Sequence, residues 1–230
     1  MGLDIAAFAI FAFTWIFYEA LLKRFSGGRG GINRDMEFIR AEWMRRMLAR
    51  ENRIADSNLI GHLLSSASFF ASTNLLIIAA AMGVLFGGEA MMQGLRGIVI
   101  FQASPIWLLE AKIGLVAITL SRGLLDFIWS IRQLNYCVAM IGAAPEAHDP
   151  DASVYADALA NVLTPALSSF NQGVRAYYFA LAAAAWLVSP WAMAVSAAAA
   201  FALLARRQTG SPAAHGVRSA KSFLTEAKKH

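Results

Sequence analysis

Leu3–Leu22 reads LDIAAFAIFAFTWIFYEALL, a run whose only acidic or basic side chains, Asp4 and Glu19, stand near its two ends. A bilayer core about 30 Å thick is crossed by roughly 20 helical residues. The run therefore has spanning length. No basic segment precedes it, and it is longer than the apolar centre of a signal peptide, about 7–15 residues. It reads as a membrane anchor and not as a cleaved leader.

The rest of the chain follows the same pattern. Of its 230 residues 58% are hydrophobic and 15% charged, too few charges to cover a water-soluble globule. Apolar runs recur at about 62–86, 105–127, 170–188 and 190–205. The expected fold is all-α: a polytopic helical membrane protein of about five spans with cytoplasmic helical extensions. Its membrane domain covers residues 1–205, and a mobile basic tail covers 206–230. Ser189-Pro190 reads as a cap followed by proline at the first helical position, which favours a tight hairpin over one helix kinked through Pro190.

Net charge is +5, and the excess lies between the apolar runs. Lys23, Arg24, Arg29, Arg34, Arg40, Arg45, Arg46, Arg50 and Arg53 separate the first two spans. Only Arg96 follows the second. Arg206, Arg207, Arg218, Lys221, Lys228 and Lys229 fill the tail. Positive-inside bias puts the first connection and the tail in the cytoplasm and the N-terminus outside, with Trp107, Trp186 and Trp191 near the outer interface. The partners expected are the lipid bilayer, further copies of the chain and other membrane subunits. The charge pattern does not point to nucleic acid.

Ser26–Gly31 is flexible by composition. After it Asn33 can cap a helix to about Ser57, with Met36, Ile39, Trp43, Met47 and Ile54 on one face. That helix suits anionic headgroups and a neighbouring subunit equally. Ser104-Pro105 opens a helix with no breaker before Gly142, about 55 Å at 1.5 Å per residue. It exceeds the bilayer core and projects into the cytoplasm.

Polar stripes mark three of these helices. On the second span Gly61, Ser65, Ser68 and Ser72 are spaced for close backbone packing, beside a strip of His62, Ser66 and Thr73. The third helix carries Lys112, Thr119, Asp126 and Gln133 at intervals of seven, with Arg122 placed to pair with Asp126. Asp157, Asn161, Thr164, Ser168, Asn171 and Arg175 form a continuous polar face on the fourth. Such a face points into a bundle, a partner or a water-filled cavity, because lipid exposure is costly.

Several segments resemble a known family. Trp43-Met44-Arg45-Arg46, Asn52-Arg53-Ile54-Ala55-Asp56 and Ser68-Phe69-Phe70-Ala71-Ser72 are similar to domain-of-unknown-function family 599 of bacterial membrane proteins. So are Glu110-Ala111-Lys112, the run Trp129–Tyr136 and the run Phe170–Tyr178. The resemblance implies a bacterial inner-membrane protein and brings no mechanism with it.

Two functions fit these features. One is an oligomeric channel or facilitator for ions or small solutes, lined by the stripes on helices three and four. The other is a structural or assembly subunit packing against other membrane proteins. An enzyme is not expected: HExxH, GxSxG and Walker sequences are absent, and Glu110 and His62, the acid–base groups available, would need a shared site. A single cysteine, Cys137, and the scattered His62, His148, His215 and His230 offer no metal site. No cofactor is expected.

Overall fold

The computed structural model describes residues 2–25, 31–96, 105–147 and 149–227. Met1, most of the glycine-rich connection, Ser104, His148, Lys228, Lys229 and His230 lie outside them. The described residues form helices and no strand: α1 (Gly2–Ile16), α2 (Tyr18–Phe25), α3 (Ile32–Leu48), α4 (Ile54–Phe86), α5 (Gly88–Arg96), α6 (Ile106–Gly142), α7 (Ala152–Ala184), a 3-10 turn (Ala185–Leu187), α8 (Pro190–Thr209) and α9 (Pro212–Glu226).

Three boundaries depart from the sequence reading. The first apolar run is bent by 72° between α1 and α2. The Thr14 hydroxyl reaches back to the Ile10 and Phe11 carbonyls, 2.9 Å from each, a contact that bends helices. The helix expected to reach Ser57 stops at Leu48. Asn52 then accepts from the Ile54 amide, so Ile54 opens α4 and shares no face with Met47. The tail, expected to be mobile, is helical over Pro212–Glu226, with Ser211 capping Ala214.

Other boundaries fall where the sequence puts them. Pro105 precedes α6, which runs unbroken to Gly142. The Ser189 hydroxyl accepts from the Ala192 amide, so α8 starts with the cap and proline expected. Between α4 and α5, Gly88 has φ 74°, a left-handed conformation that costs glycine nothing.

By length and composition α4 and α6 can each cross a membrane, and the bent pair of α1 and α2 would make a third crossing if taken as one. The expected spans at 170–188 and 190–205 do not meet that measure. Arg175 interrupts the apolar half of α7, and α8 closes on Arg206 and Arg207. The described residues are thus all-helical, with two or three candidate crossings among them.

Contacts divide the chain into two compact units. Unit 1 gathers Met1–Leu22, Ala71–Leu125 and Gln172–Ala205. It holds only four of the twenty basic residues, Arg96, Lys112, Arg122 and Arg175. Its core packs Ala7, Phe11 and Tyr18 with Phe179, Ala183, Trp186, Met193 and Ala197. A smaller cluster joins Met92, Leu109 and Ile113. Unit 2 comprises Lys23–Phe70, Asp126–Asn171 and Arg206–His230 and holds the other sixteen basic residues. Its core packs Met44, Met47 and Leu48 with Ile60, Leu134, Cys137, Leu159 and Leu163.

Candidate functional site

Unit 1 sets polar side chains among apolar helices. On α1 the Asp4 carboxylate accepts from the Trp186 indole at 3.1 Å, and Lys112, 4% exposed on α6, lies 5.8 Å from that ring. Trp186 is buried, whereas Trp107 and Trp191 are exposed. The buried Asn74 amide donates to the Leu120 carbonyl at 2.9 Å. Next to it a Cβ on Gly123 would stand 2.6 Å from that of Ala176, so α6 and α7 meet nearly backbone to backbone. The Arg175 guanidinium lies over the Tyr18 ring at 4.3 Å and 3.6 Å from Glu19. Thr119 turns its hydroxyl back to the Leu115 carbonyl.

Unit 2 is organised around Asp56, which is 1% exposed. Its carboxylate accepts from the Trp43 indole at 2.7 Å and from Arg50 at 2.7 and 2.8 Å. Arg53 donates to the carbonyls of Leu48 and Pro145 at 3.1 and 2.6 Å. These contacts tie the turn between α3 and α4 to the residues after α6, and they give two of the family-like segments a shared structural role. A third such segment supplies Phe70, whose ring packs with Phe127 and Phe170, centroids 5.6–5.7 Å apart.

The polar face of α7 is largely committed within the chain. Asp157 pairs with Arg45 at 2.7 Å, Asn171 donates to Asn33 at 3.1 Å, and Arg175 has Tyr18 and Glu19. Thr164 and Ser168 are half-buried and Asn161 is exposed. On α6 Arg122 is exposed and Asp126 half-buried one turn later. Gln133 has a buried carbonyl oxygen without a hydrogen-bond partner among the described residues.

The stripe on α4 behaves differently. Ser65, Ser68 and Ser72 are exposed and Gly61 is half-buried, with open space where its Cβ would be. Ile54 and Asn58 continue the same face towards the start of the helix. There a groove of about 430 Å³ is lined by Arg53, Ile54, Ser57, Asn58, Ile60, Val138, Ile141 and Gly142. The sequence suggested the stripe but not the groove, because nothing in the pattern says that α6 ends beside the start of α4. Asn74 and Gly123 were also missed: single polar or small residues in apolar helices carry no periodicity.

Among the described residues no three His, Cys, Asp or Glu side chains gather as metal ligands. A family match extends over residues 6–213, described as a protein of unknown function, DUF599. The chain belongs to this family. The match takes in every helix from α1 to α8 except the first few residues, so the bent entry and the Asp56 network both lie inside it. No curated protein and no solved structure matches the chain.

Proposed function

We propose that this member of the DUF599 family is a bacterial inner-membrane protein that works by assembly, with copies packing along the α4 face from Ile54 to Ser72. One observation carries the reading. On the α7 stripe Asp157, Asn171 and Arg175 have partners in their own chain, whereas Ser65, Ser68 and Ser72 on α4 are exposed. Only 11% of the most apolar window of α4 is buried inside the chain. Small residues let two helices approach closely, and a stripe of this kind meets a copy of itself across a two-fold axis without further complementarity.

In this proposal unit 1 lies in the bilayer and makes five crossings: the bent α1–α2 pair, then α4, α6, α7 and α8. Its scarcity of basic residues supports the assignment, as does the concentration of the others in unit 2. The N-terminus is outside, and the basic segment Arg34–Arg53 and the tail are cytoplasmic. The proposal includes no enzymatic step. The channel reading draws less support, because Asp157, Asn171 and Arg175 already have partners within the chain.

The test is the mass of the protein in lipid nanodiscs, alone and with Gly61→Leu plus Ser65→Leu. Assembly through α4 gives an oligomer that the double substitution reduces to a monomer. An oligomer unaffected by it would refute the interface. Ion flux through liposomes carrying the wild type, lost on Asn161→Leu, would return the argument to the channel.

A further inference from the structure

Arg40 lies midway along α3 and is 6% exposed. Its Nε is buried with no hydrogen-bond partner, and among the described residues the side chain makes no ion pair. Apart from Glu37, the carboxylates of α3 and two elsewhere in unit 2 are held by other cations. Asp35 takes Lys221 at 2.8 Å and Arg218 at 3.9 Å. Glu42 takes Arg46 at 3.0 Å and Arg45 at 3.8 Å. Asp56 has Arg50, and Asp157 has Arg45. Glu37, exposed one turn before Arg40, acts on it only through space; burial pulls the guanidinium pKa below its ordinary value, and Glu37 opposes that.

Arginine cannot escape burial by losing its proton at any ordinary pH. A buried cation with no counterion is strongly destabilising, so native structures supply one. We propose that Arg40 holds a phosphate oxyanion against α3, the counterion that the described residues do not supply. The planar guanidinium fork suits phosphate geometry.

The phosphate can come from an anionic phospholipid headgroup or from a free phosphate. Full-length protein is delipidated in neutral detergent, and its thermal midpoint is followed against inorganic phosphate. In a second arm it is followed in phosphatidylcholine nanodiscs with and without phosphatidylglycerol. A saturable rise in the wild type is expected in at least one arm. A rise with inorganic phosphate identifies a free oxyanion site, and a rise with phosphatidylglycerol alone identifies a headgroup site. Arg40→Gln should weaken half-saturation about tenfold or more, the scale of a charge-assisted hydrogen bond. Arg34→Gln, at an exposed position on the same helix, should leave it unchanged. Should Arg40→Gln not fold, Arg40→Lys carries the comparison, since it keeps the charge and loses the fork. The proposal is overturned by a wild type that responds to neither probe, by equal weakening in the Arg34 and Arg40 variants, or by unchanged binding in Arg40→Lys.

Discussion

The Arg175 guanidinium sits 4.3 Å above the centre of the Tyr18 ring, so a residue that ends the longest polar stripe in the sequence is met by its own chain. A desolvated cation over an aromatic face gains up to about 2 kcal/mol. Tyr18→Phe keeps the ring and should leave the unfolding midpoint in detergent nearly unchanged. Tyr18→Leu should lower stability by about 1–2 kcal/mol. Equal effects of the two would show that the hydroxyl, not the ring, matters.

At Gly123 the constraint is space. A Cβ there would lie 2.6 Å from that of Ala176, a methyl group that cannot rotate away. Gly123→Ala should cost about 1–3 kcal/mol, the usual penalty for overpacking. Ala176→Gly should recover part of it, so that the pair is non-additive. Additive losses in a double-mutant cycle would place the strain elsewhere.

In unit 2 the ion pair at Asp56 is asymmetric: its side chain is 2% exposed, against 50% for Arg50. Removing Arg50 leaves a buried carboxylate with only the Trp43 indole, whereas removing Asp56 leaves an arginine that water can reach. Arg50→Ala should therefore destabilise by about 2–3 kcal/mol, and adding Asp56→Asn should restore part of that. If the double variant is less stable than Arg50→Ala, the buried charge is not what the single substitution exposes.

The orientation can be read at His215, an exposed position of α9. In a Cys137→Ser background, His215→Cys should react with an impermeant maleimide in inverted vesicles and not in intact cells. Labelling in intact cells would rule out the five-crossing arrangement.

The long helices were legible because their signals are local. Pro105 and Gly142 bound α6, and Ser189-Pro190 opens α8. The bend after Ile16 was not legible, because Phe17 and its neighbours are as apolar as the run around them and Thr14 acts through its backbone contacts. The end of α3 was missed because Ile54 extends the helical periodicity of Met47 across a turn. Of the candidate site residues on the α7 stripe, Asp157, Asn171 and Arg175 meet partners in their own chain. Their partners, Arg45, Asn33 and Tyr18, are distant in sequence, and spacing along one helix does not reveal them. Arg40 was counted among the basic residues that set orientation, since sequence does not show that it is buried.

The proposed assembly rests on α4, and cysteine cross-linking tests it at that face. In a Cys137→Ser background, Ser65→Cys and Ser68→Cys are treated with a short bismaleimide in native membranes, with Val154→Cys, 70% exposed on α7, as the reference position. Packing of copies along α4 predicts cross-linked dimers at Ser65→Cys and Ser68→Cys and monomers at Val154→Cys. Monomers at all three positions, or dimers in equal amount at Val154→Cys, would contradict it.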